Sequence, residues 1–203
     1  MKKIIFILFI VILLSGCSYG YFVTHKDYYS KFKNPDLNYT WEFNKDLEKG
    51  GGETFNRTYF QLKKYNLFQE LFLLEIAYPV QYKHEEGHIY QLQLLNVDSL
   101  DKLYNKTCHR LDPTKEYFVS VSEGSADYYS LTFFNNSLSN NSLEFTKNNI
   151  KNERFKRYYQ GYLFTNYVIS KQIYPDLKNF ILNLCTKKQY ELFQEYIGTL
   201  NLS

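Results

Sequence analysis

The sequence predicts an α+β fold, mostly helical with a small sheet near the N-terminus, on three observations. Tyr39 to Phe43 and Thr58 to Lys63 are alternating or β-branched and aromatic, the composition of strands. From Pro79 onward the period changes. Val80, His84, His88, Leu92 and Leu95 recur at helical spacing to about Asn96. Beyond that point the chain repeats helix-starting residues ahead of periodic segments. The organisation expected is a signal peptide over 1–16, a tether over 17–38 and a single domain over 39–203.

The N-terminus is a targeting segment. Lys2 and Lys3 form a basic n-region, and Ile4 to Leu14 form an apolar run too short to span a bilayer, which takes about 20 residues. Leu14-Ser15-Gly16-Cys17 resembles the lipobox of bacterial lipoproteins. That resemblance implies cleavage before Cys17, a lipid on Cys17, and a protein anchored to the membrane of the bacterial cell envelope, on its periplasmic or extracellular face. No second apolar run approaches a membrane span. The net charge of +3 is small and forms no basic stripe, so nucleic acid is not an expected partner. The 21 Tyr and 17 Phe, with abundant Asn and Lys, reflect codon usage in an AT-rich genome rather than chemistry. Cys108 and Cys185 remain once Cys17 is lipidated. Export permits a disulfide between them, and two buried thiols are the alternative.

The elements follow in order. Tyr19 to about Asn38 is a polar, aromatic-rich tether. Gly50-Gly51-Gly52 is a turn or loop between the two strands. Leu67 to Ala77 is apolar and fits a strand or a buried helix equally. Pro79 suits the first turn of the next helix. Asp98 or Ser99 caps a short helix ending near Cys108, and Leu111 to Thr114 turns around Pro113. Ser120 or Ser122 caps a helix running to about Phe134. Asn135 to Asn149, rich in Asn and Ser, is expected as an exposed loop. Glu153 to Ser170 is an amphipathic helix, Tyr174-Pro175-Asp176 starts another, and Lys188 to about Ile197 forms the last. There is no internal repeat.

The most informative stretch is His84-Glu85-Glu86-Gly87-His88, which holds two of the chain's 4 His. It reads H-E-x-x-H. On a helix, residues four apart share a face, so both imidazoles reach one metal ion, and Glu85 points at the open coordination position. Two His leave a zinc site one ligand short. Ser122-Glu123-Gly124-Ser125-Ala126-Asp127 offers it. Glu123 and Asp127 fall on one helical face. Glu123 is expected as the third ligand, and Asp127 as the acceptor that fixes the tautomer of a liganding His. Two surface carboxylates are the plain alternative. His109 is expected at the surface or rim, and His25 in the tether.

The H-E-x-x-H followed by a helix carrying E-G-x-A-D-Y resembles the gluzincin metallopeptidases. Tyr158-Tyr159-Gln160-Gly161-Tyr162-Leu163-Phe164, with Tyr167, resembles the Y-x-x-G-x-x-F helix that follows in that family. The resemblance spans about Pro79 to Asp176. It implies a zincin-like catalytic domain, Zn2+ held by His84, His88 and Glu123, Glu85 as general base, Asp127 orienting a His, and Tyr158 as the oxyanion donor, with Tyr159 and Tyr162 as rivals. It thus implies a membrane-anchored zinc peptidase acting on a peptide or protein substrate. The alternative is a non-catalytic binding or structural lipoprotein on the same scaffold. Three departures stand out. Gln81 and Lys83, just before the first His, are more polar than is usual in that family. Glu86 replaces an apolar residue and is expected at solvent. Gly50-Gly51-Gly52-Glu53 resembles the G-x-M-E-N exopeptidase element but lacks its Met and Asn.

Overall fold

The structure is a computed structural model, and it describes residues 29–47, 52–64, 77–134 and 137–200. Its architecture is α+β and mostly helical, with one three-stranded sheet. The strands are β1 (Thr40–Asn44), β2 (Gly52–Asn56) and β3 (Tyr59–Lys63), in the order β1-β3-β2. β1 runs parallel to β3, with Trp41 opposite Phe60, and β2 runs antiparallel to β3, with a bulge between Thr54 and Asn56. Both expected strands are present, shifted by one residue. β2 was not expected: Gly-Glu-Thr-Phe-Asn has no alternating apolar signal, and its strand form comes from the hydrogen-bonding edge that β3 offers.

The helices are α1 (Ala77–Leu94), α2 (Leu100–Leu103, continued by a π turn over Tyr104–Cys108), α3 (Glu116–Phe134), α4 (Ser137–Asn148), α5 (Glu153–Ser170), α6 (Leu177–Leu182) and α7 (Lys187–Thr199). Pro79 lies in the first turn of α1, and Asn96 at φ 52° closes its end in the left-handed region that Asn tolerates. Ser99, Asn152, Asp176 and Thr186 cap α2, α5, α6 and α7 by accepting an amide hydrogen bond.

Three expectations are corrected. α3 begins at Glu116, one turn before Ser120 and Ser122, because the Asp112 carboxylate takes the Phe118 amide at 2.8 Å. Ser120 and Ser122 are buried in its interior. The Asn135 to Asn149 stretch is a helix rather than a loop over most of its length. Packing against α3 and α5, including Phe145 against Phe155 at 5.6 Å, outweighs its weak propensity. The tether also ends early: Tyr29 and Leu37 are buried in the core. The apolar stretch over 67–76 lies outside the described residues, as do Gly50, Gly51 and His25.

The core has two parts with α1 between them. On one side, Tyr29, Leu37, Tyr39, Trp41, Phe60, Leu62, Tyr82 and Ile89 join the N-terminal segment and the sheet to α1. On the other, Phe118, Val121, Phe164, Val168, Phe180 and Phe193 join α3, α5, α6 and α7. Cys108 and Cys185, in that second part, form a disulfide, with Cα atoms 4.8 Å apart. Sequence alone had left this open.

Candidate metal centre

α1 carries polar residues on faces that are all covered. Lys83, His84, Glu85, Glu86, His88 and Gln91 are each buried. Burying an unpaired charge costs several kcal/mol, so each of these groups needs a partner. The partners define three separate sets around one helix.

The first set is the group that could hold a metal ion, His84, His88 and Glu123. α1 and α3 meet at Gly87, where a Cβ would come within 2.9 Å of the Ala126 backbone. This close approach, between the two His of α1, brings the carboxylates of α3 to the imidazoles. His84 Nε2 lies 3.1 Å from Glu123 Oε2, His88 Nε2 3.5 Å from the same oxygen, and the two Nε2 atoms are 3.2 Å apart. Tetrahedral ligands about 2.0–2.1 Å from zinc stand about 3.3 Å from one another. The donor set and its spacing therefore fit zinc. Asp127 Oδ1 takes the other face of His84, 2.7 Å from Nδ1. Burial opposes a charge on His84, but Asp127 and Glu123 outweigh it and raise its pKa well above the ordinary value. Burial also opposes ionisation of Glu123, but His88 and His84 hold its carboxyl far below the usual range.

Glu85 forms the second set. It is only 3% exposed. Thr54 Oγ1 on β2 donates to its Oε2 at 2.7 Å, and Gln81 Nε2, one turn earlier on α1, donates to Oε1 at 2.9 Å. β2 lies directly on the side chain: a Cβ on Gly52 would be 2.7 Å from Glu85 Cγ. Glu53, next along β2, sits opposite Gln61 in register.

The third set corrects the expectation for Glu86. It does not face solvent; it is fully buried on the opposite side of α1. Lys83 forms a short ion pair with it. The Asn34 amide and the Tyr39 hydroxyl each donate to Oε1 at 2.6 Å, and the Tyr129 hydroxyl donates to Oε2 at 3.1 Å. Lys83 also lies 3.8 Å over the Phe133 ring.

Tyr158 reaches the cluster from α5. Its ring stacks on His84 at 6.3 Å, and burial, joined by Glu123, raises its pKa, so the phenol stays protonated and able to donate. Of the rivals, Tyr162 packs against Tyr128 at 6.3 Å. α5 reaches α3 through a glycine pair: a Cβ on Gly124 would lie 2.0 Å from the Gly161 backbone. His109 is exposed, edge-on to Tyr104 at 5.8 Å, as expected of a rim residue.

Sequence reasoning missed two partners. Gln91 Oε1 faces His88 Nδ1 at 3.3 Å, and Gln91 Nε2 is held by the Ser122 carbonyl at 2.7 Å. Its position three residues after His88 on one helical face was a usable signal. Thr54 had none, since β2 was not recognised.

Comparison with known proteins adds one finding. Residues 1–18 match the prokaryotic membrane lipoprotein lipid attachment site. The protein is therefore a lipid-anchored, membrane-associated protein, and Cys17 lies in the matched stretch. Among the described residues no helix is long and apolar enough to cross a membrane. No curated protein and no solved structure matches the chain.

Proposed function

We propose that the chain is a zinc-dependent peptidase held at the cell envelope by its lipid. The observation that carries this reading is the convergence of His84, His88 and Glu123, whose ligand atoms lie within 4.8 Å of one another, with Glu85 directly after His84 on α1. Zinc held by these three side chains would supply a Lewis acid and lower the pKa of a water to about 7.

The chain's own residues do the rest. Asp127 holds the His84 ring with Nε2 turned to the cluster. Glu85 takes the proton of the water that adds to the peptide carbonyl and returns it to the amine as the C–N bond breaks. Thr54 and Gln81 fix the carboxylate for that exchange. Tyr158 donates to the carbonyl oxygen as negative charge develops there.

Metal analysis of the full chain, with a peptide-library assay of wild type and Glu85→Gln, tests this. Stoichiometric zinc in both and cleavage by wild type alone is the expected result. Absence of zinc sinks the site. Zinc without cleavage favours the second reading, a binding lipoprotein. One observation speaks for that reading: Glu85 is almost fully buried with both oxygens already engaged.

A further inference from the structure

Arg154 stands in the first turn of α5, four residues before Tyr158. Its Nε donates to the Tyr158 hydroxyl at 3.2 Å, and its guanidinium lies over the Tyr158 ring at 5.4 Å. Since that ring stacks on His84, the guanidinium is one side chain removed from the metal cluster. Burial lowers the Arg154 pKa, but Tyr158, Glu123 and Glu85 together raise it above the ordinary value, which places the cation in the field of the site.

Three observations ask what this cation is for. Arg57 and Arg157 are each paired with a carboxylate, whereas among the described residues no carboxylate lies within 4.0 Å of Arg110 or Arg154, and of these two it is Arg154 that is bonded to Tyr158. With Nε given to Tyr158, the two terminal amino groups remain as a planar fork, and the residue is exposed to solvent. Finally, a cation in the first turn opposes the helix dipole, so helix stability does not account for it.

We propose that Arg154 is a specificity-determining residue that binds a carboxylate of the substrate, either the C-terminal carboxylate of a peptide or an acidic side chain near the scissile bond. The fork geometry matches a carboxylate bidentately. This rests on the peptidase reading of the site.

The test uses the zinc-loaded full chain and matched peptides: free acid against C-terminal amide, and Asp against Asn at each position. The acid–amide pair and the Asp–Asn pairs distinguish the two sources of the carboxylate. Arg154→Gln is expected to raise KM for the carboxylate peptide about ten- to a hundredfold relative to its neutral counterpart, while any effect passed through Tyr158 lowers kcat on both peptides alike. Arg154→Lys keeps part of the preference. An equal fall in kcat on every peptide, with KM unchanged, overturns the proposal and leaves Arg154 only a holder of Tyr158. Calorimetric binding of the same peptides to Glu85→Gln separates the two readings. A carboxylate preference that Arg154→Gln abolishes, with no cleavage by wild type, sinks the peptidase and leaves the anchor standing. Cleavage indifferent to the carboxylate sinks the anchor alone.

Discussion

Thr54 Oγ1 on β2 donates to Glu85 Oε2 at 2.7 Å, which ties the edge of the sheet to the carboxylate that follows His84 on α1. A hydrogen bond to a charged group is worth about 1.5–3 kcal/mol. Thr54→Val should therefore lower kcat/KM of the proposed peptidase about tenfold or more, while Thr54→Ser keeps most of it. Steady-state kinetics on the two variants, with zinc content measured alongside, checks this. Lost zinc in Thr54→Val would show that the contact serves the fold rather than Glu85.

Asp127→Asn keeps the size of the side chain but removes the charge that faces His84 Nδ1. Loss of such an outer partner costs about ten- to a hundredfold in metal affinity. Competition with a chelating indicator measures it. Unchanged affinity would mean that Asp127 is only a surface carboxylate.

The Gly124 and Gly161 backbones touch where α3 crosses α5, and a Cβ on Gly161 would lie 1.7 Å from the Ser120 carbonyl oxygen. Gly161→Ala has no flexible side chain to push aside. The helices must separate, at a cost of about 1–3 kcal/mol, the usual range for overpacking. Urea denaturation reads the loss. A variant as stable as wild type would show that the two helices slide freely.

Lys83 and Glu86 are an ion pair buried beneath the N-terminal segment. Removing one partner strands the other charge and costs about 3–5 kcal/mol, whereas replacing both with apolar residues is often neutral. Lys83→Met should thus be strongly destabilised, and Lys83→Met combined with Glu86→Leu less so. The pair is partly compensated, because Asn34, Tyr39 and Tyr129 also donate to Glu86 and lose their acceptor in the double variant. Equal stability of the two variants would refute a coupled pair.

Metal removal should change the pH dependence of stability. In the metal-free protein His84 has its pKa raised above 6.5, so its contribution is complete below 6.5 and lost as pH rises through the raised value. Glu123 has its pKa depressed below 4.5, so its contribution is present above 4.5 and lost as pH falls through the depressed value. Stability with EDTA should therefore peak between about pH 4.5 and 6.5 and decline toward alkaline pH. Zinc requires neutral imidazoles, so its stabilisation should grow as pH rises. Thermal melts across pH, with and without EDTA, check both signs. A metal-free optimum well above pH 7 would contradict the charged His84.

The sequence by itself determined the lipid attachment, the α+β class, the helix bearing His84 and His88, and the helix bearing Glu123 and Asp127. These are local matters: an apolar run with a cleavage site, and residues spaced at a helical period. Only the tertiary structure decided that Glu86 is buried against Lys83, that α4 is a helix, that Gly52–Asn56 is a strand, and that Cys108 meets Cys185. Each depends on a partner distant in the chain: Asn34 and Tyr39 for Glu86, Phe155 for Phe145, β3 for β2, and α6 with its following turn for the disulfide. A period in sequence tells which residues share a face. What covers that face is set by packing between elements, and there the polar helix α1 acquires the partners that let it be buried.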